Sequence, residues 1–157
     1  MFENKSKVDL KRTQKLVDDL SDLKKMAVNV GITKNAMTKA IYDSGEDVVT
    51  VGASHEFGTH DIPKRSFLRN SFTVKKDKMN KQVEKQYNNI FKGYTVKKAL
   101  SLVGVEGVNI VQEAFTTGGY GTWEPLSQET IDKKGSSQIL FNSGTLRNSI
   151  NFEVVND

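Results

Sequence analysis

The chain has 157 residues, two histidines, no cysteine and a formal net charge of +4. That length suits one domain able to bury a real core, and the lack of cysteine excludes disulfides and thiolate metal sites. No run approaches the eighteen apolar residues of a membrane helix, and Met1-Phe2-Glu3-Asn4-Lys5 lacks the apolar core of a secretion signal, so the sequence predicts a protein made and used in a reducing, soluble compartment.

With 36% hydrophobic and 27% charged residues, the composition is polar for a compact monomer, which predicts that partners cover part of its apolar surface. Charge is unevenly spread. Residues 61 to 98 carry eleven Lys or Arg against Asp61, Asp77 and Glu84, a local balance of +8 that leaves −4 for the rest. Such a dipolar subunit can turn one face to phosphate and another to a partner, although lysine on the outer face of a solvated helix gives the same count.

Residues 7 to 26 predict an amphipathic helix. Leu16, Leu20 and Leu23 recur at helical spacing with Leu10 and Val17, Ser6 is a candidate N-cap, and Lys24 and Lys25 suit the C-terminal end. Residues 27 to 32 alternate as a half-buried strand. Residues 33 to 47 are rich in turn formers and predict a mobile loop. Val48 to Phe57 reads either as a β-branched strand or as a short helix stopped by a left-handed Gly58, and the helix is favoured.

Pro63 makes Ile62 extended. A long helix then opens at Ser66 or Asn70, with Met79, Val83, Tyr87, Ile90 and Tyr94 as its apolar stripe, and ends near Gly93. Thr95 caps a further helix to about Phe115. Gly104 and Gly107 lie inside it, where each costs up to about 1 kcal/mol against alanine, so a close contact or a break is expected. Residues 117 to 121 predict a flexible loop and 127 to 130 a capped short helix. Residues 149 to 155 predict a second strand. There is no internal repeat, so residues 1 to 157 form one domain of α+β class: a small, mostly antiparallel sheet packed against two or three longer helices.

Catalytic signatures are weak. His55-Glu56 and His60 suggest a zinc protease, but that chemistry needs histidines four apart on one helical face, and these are five apart across Gly58. No nucleophile elbow is present. Gly118-Gly119-Tyr120-Gly121 lacks the lysine and hydroxyl residue of a phosphate-binding loop and reads as a hinge. Trp123 suits core or subunit interface equally. Glu56, Arg65, Arg69 and Arg147 suit buried ion pairs, interface pairs or phosphate ligands, because the guanidinium fork serves all three. No metal or cofactor is expected.

Two ordered blocks carry a resemblance. Glu56-Phe57-Gly58-Thr59 with Ile62-Pro63-Lys64-Arg65-Ser66-Phe67-Leu68-Arg69 resembles the "EFGT…IPxRxFLR" segment of tailed-phage morphogenesis proteins. Trp123-Glu124-Pro125-Leu126-Ser127, Thr130, Lys134-Gly135-Ser136-Ser137, Leu140 and Ser143 to Ile150 resemble the "PLS..T...KGSS..L..TG.LR.SI" ending of the same proteins. Val28 to Ile32 is similar to their early strand. The resemblance spans residues 27 to 155 and extends to the neck, tail-completion and head-tail joining families. In the head-tail joining family of long-tailed phages the two blocks occur in the opposite order, and the first helix has no counterpart there.

The resemblance implies a non-enzymatic virion protein of the neck or head-proximal tail end. It would be made in the host cytoplasm and assemble as a ring of six or twelve subunits. Its neighbours would be connector, tail-terminator or tail-tube proteins, with genome DNA passing through the lumen and no membrane involved. The expected subunit contacts are Glu56, Phe57, Gly58, Ile62, Pro63, Arg65, Phe67, Arg69, Trp123, Leu146 and Arg147, with Ile62-Pro63 as an arm on the neighbour. Lys75, Lys76, Lys78, Lys81 and Lys85 are expected to meet DNA or the connector. The alternatives are a sequence-independent DNA-binding module and a hydrolase using His55 and Glu56.

Overall fold

A computed structural model describes residues 10–34, 42, 45–140 and 143–156. The fold is α+β. Its elements in chain order are α1 (Leu10–Leu23), β1 (Met26–Ile32), α2 (Val48–Phe57), α3 (Arg69–Val74), α4 (Lys76–Phe91), α5 (Val96–Gly121), α6 (Gln128–Lys134), α7 (Thr145–Asn148) and β2 (Ile150–Asn156). The expected Ser6 cap, the start of the first helix and most of the loop expected over 33–47 lie outside the described residues.

Helix α5 organises the rest. Thr95 caps it, accepting from the Lys98 amide. Strands β1 and β2 pair antiparallel with Met26 opposite Asn156 and Ile32 opposite Ile150, and this two-stranded sheet lies on α5. The register explains the internal glycines. Val30 is paired with Phe152, so their side chains leave one face of the sheet together. They enter two notches in the helix. A Cβ on Gly104 would lie 2.3 Å from Phe152 Cδ2, and one on Gly107 would lie 2.8 Å from Val30 Cγ2. The close contact expected from sequence is therefore present.

The main core joins α5 to the C-terminal half of the molecule. Val111, Ala114 and Phe115 meet Val48, Phe67, Trp123, Leu146 and Ile150. Phe115 stands between Phe67 and Trp123 with ring centroids 5.4 and 5.9 Å away. Trp123 is thus core within this chain. A smaller cluster of Ile90, Val96 and Ala99 receives Leu23, Met26 and Leu100.

Several expectations are corrected. The long helix expected from Ser66 or Asn70 to about Gly93 is two helices, broken at Lys75, whose φ and ψ of −101° and 22° are not helical. Its apolar stripe does not form one core face. Met79, Gln82, Gln86 and Ile90 face inward, with Gln82 Nε2 donating to the Leu102 carbonyl, while Val83, Tyr87 and Phe91 remain exposed. Gly58 stops α2 as expected, but with φ 78° and ψ 161°, a mirror-extended conformation and not the left-handed helical one. The hinge expected at 117–121 is a packed turn. Gly118, Gly119 and Tyr120 are all left-handed, and a Cβ on Gly119 would lie 2.2 Å from Trp123 Nε1.

Candidate functional site

The Glu56 to Arg69 block folds back on its own chain. Asp47 starts α2 by accepting from the Val49 and Thr50 amides, which lowers its carboxyl pKa; the hydrogen bond from the Thr50 hydroxyl is the largest cause. The chain leaves α2 at Gly58 and turns tightly, with the Thr59 amide donating to the Ile62 carbonyl at 2.9 Å. It returns so that the Arg65 amide donates to the His55 carbonyl at 2.7 Å. The expected arm at Ile62-Pro63 is therefore one side of a closed loop, because these two hydrogen bonds hold its ends together.

Glu56 fastens this loop from inside. Only 3% exposed, its carboxylate accepts from Ser66 Oγ at 2.7 Å, the Leu68 amide at 2.9 Å, the Arg69 amide at 3.2 Å and Arg69 Nε at 3.3 Å. The Leu68 and Arg69 amides open α3, so an acid on one helix caps the next. Ser66 Oγ accepts in turn from the Asn70 amide. Both Glu56 oxygens are engaged in hydrogen bonds within the loop. Arg69 reaches outward over the exposed Phe57 ring, 4.7 Å from its centroid.

Among the expected subunit contacts, Glu56, Arg65, Phe67, Trp123 and Leu146 are buried within this chain. Phe67, Trp123 and Leu146 fill the core, and Glu56 and Arg65 stabilise the return loop. Phe57, Pro63 and Arg69 are on the surface, and Gly58, Ile62 and Arg147 are half-buried. The basic candidates also separate. Lys75 pairs with Glu113 at 2.7 Å and Lys78 with Glu106 at 2.8 Å, both on α5, so these two hold helices together. Lys76, Lys81 and Lys85 are exposed on α4.

The two sequence blocks meet at a cleft of about 500 Å³. His55, Ile62, Pro63 and Arg65 from the first block and Pro125, Leu126, Lys134 and Leu146 from the second line it. The cleft combines apolar walls with three basic groups. Arg65, 6% exposed, donates from one terminal nitrogen to the Glu124 carbonyl at 3.3 Å, while its Nε is buried without a partner. His55 Nδ1 is likewise buried and unpartnered.

Burial pushes the His55 imidazole below its usual pKa, and the Arg65 charge pushes it further. Burial also lowers Arg65, partly offset by Glu124. Lys134 is lowered first by burial and then by Arg65. No group of three or more potential metal ligands occurs among the described residues. Sequence reading missed this trio, because its members lie on three separate elements and no local spacing unites them.

No family model, curated protein or solved structure matches this chain.

Proposed function

We propose that this chain is a structural, non-enzymatic subunit of a tailed phage. It would assemble as a ring of six or twelve copies at the neck or the head-proximal end of the tail, between connector and tail proteins, with DNA passing through. The phage assignment rests on the two ordered sequence blocks and on residues 27–155 as a whole. The self-assembling character rests on one structural observation. Helix α1 buries none of its residues fully, and Leu10 and Val17 are 76% and 56% exposed. On α4, Val83, Tyr87 and Phe91 form a second exposed apolar row, with Tyr87 and Phe91 edge to face at 5.0 Å.

The two helices adjoin, since Arg12 donates to the Phe91 carbonyl. Apolar area of this kind on a polar chain is what a neighbouring subunit removes from water. Light scattering after size exclusion and electron microscopy of negatively stained protein test the reading. Rings are expected, and a strictly monomeric species both in solution and in virions would sink it.

A second reading is favoured by Lys81 and Lys85, exposed one helical turn apart on α4 with Lys76 nearby. It makes the chain a sequence-independent DNA binder. Duplex binding by the subunit alone would then weaken steeply with salt.

A further inference from the structure

We propose that the cleft between the return loop and the C-terminal block binds a carboxylate side chain carried on an apolar segment of a partner protein. The proposal stands on the geometry of the cleft and is independent of the ring reading.

Volume comes first. About 500 Å³ lies within the range of preformed ligand sites and accommodates a few side chains. Chemistry comes second. Ile62, Pro63, Leu126 and Leu146 make the walls apolar, so an occupant gains by burying apolar groups there. Arg65 and Lys134 make the cleft cationic, with the His55 imidazole beside them. Two acids also line it. Asp61 is exposed and hydrogen-bonded to His60 at 2.8 Å, and Glu124, also exposed, has its main-chain carbonyl bonded to Arg65.

Unmet polar atoms are the third and deciding observation. Buried polar groups are nearly always paired, because leaving one unpaired costs about 1–3 kcal/mol. Here Arg65 Nε and His55 Nδ1 are both buried without a partner in the same cleft. A carboxylate supplies acceptors in the geometry a guanidinium prefers. Docking a partner's acidic side chain beside Arg65 would offer its guanidinium an acceptor and cover the apolar walls. Complementary charge would fix its orientation.

The test uses the whole chain labelled with ¹⁵N. It is titrated with a capped Leu-Glu-Leu tripeptide while the Arg65 Nε–H resonance is followed. The expected result is a saturable shift of that resonance, with binding weakened about tenfold or more when glutamine replaces the peptide's glutamate. Lys134→Gln and His55→Gln, whose folding is checked by thermal melts, are each expected to weaken binding. Glu124→Gln should strengthen it by removing a competing acid. The proposal is overturned by no shift, by equal binding of the glutamine peptide, or by unchanged binding in both Lys134→Gln and His55→Gln. It is overturned equally if inorganic phosphate binds as well as the tripeptide, which would make the cleft a simple anion site.

Discussion

Phe152 lies so close to Gly104 that a single methyl group on the glycine would stand 2.3 Å from its Cδ2. The alanine that would improve helix propensity is therefore expected to destabilise this protein. The propensity gain is at most about 1 kcal/mol, whereas overpacking a filled site costs about 1–3 kcal/mol. Gly104→Ala should lower stability in urea unfolding by about 1–2 kcal/mol. Adding Phe152→Leu should return part of that loss, because the two sites are in contact and do not add.

Glu56→Ala should be among the most damaging single changes outside the apolar core. It removes one acceptor and strands the Leu68 and Arg69 amides and the Ser66 hydroxyl. A loss of about 3 kcal/mol or more is expected. Glu56→Gln keeps one carbonyl oxygen and should lose less. Amide hydrogen exchange at Leu68 and Arg69 should quicken in both variants, which separates loss of the cap from general loosening.

Stability should rise with pH in the window just below 6.5. The unfolded chain protonates His55 there at its ordinary value, while the folded chain resists the proton because the ring is buried beside Arg65. The unfolded state then binds more protons, so lowering pH favours it. The slope should flatten above 6.5 and again below the depressed folded pKa, and should vanish in His55→Gln. Asp47 acts in a separate, more acidic window. Its folded pKa is lowered by the Thr50 hydroxyl and by the amides it caps, so its contribution is lost as pH falls through that value. Equilibrium unfolding at a series of pH values reads both windows.

Tyr87→Glu and Val17→Asp place charge on the exposed apolar rows of α4 and α1. If those rows are subunit contacts, both variants should run as smaller species in light scattering. Their melting as isolated subunits should change little, because neither side chain contributes to the core clusters. An unchanged particle size in both would remove these helices from the interface.

Much of the fold was legible because its signals are local. The alternation at 27–32 and 149–155 identified the two strands, which pair antiparallel as the expected fold class had it. The Thr95 cap and the β-branched but helical 48–57 segment were also readable. The break at Lys75 was not, because residues 66 to 91 keep a helical pattern straight through it. Nor was the direction of α4. Its apolar side chains predicted the buried face, yet Gln86 is buried and the contact with α5 is made partly by Gln82 and by the Lys75 and Lys78 ion pairs. Glu56 was expected at a subunit contact; its partners within the chain lie ten to thirteen positions away and no periodicity reveals them. The cleft escaped notice for the same reason: His55, Arg65 and Lys134 become neighbours only in three dimensions.

The pairing of Met26 with Asn156 sets an order on synthesis. Strand β1 (Met26–Ile32) leaves the ribosome before α2 to α7 and well before its partner β2 (Ile150–Asn156). Until then Val28, Val30 and Ile32 have no strand beside them, and the Gly104 notch has no ring to fill it. Contacts so distant in sequence form slowly and leave apolar strand surface uncovered meanwhile. The nascent chain therefore passes through a long interval in which its helices exist and its sheet does not, and that interval is when it is most exposed to aggregation.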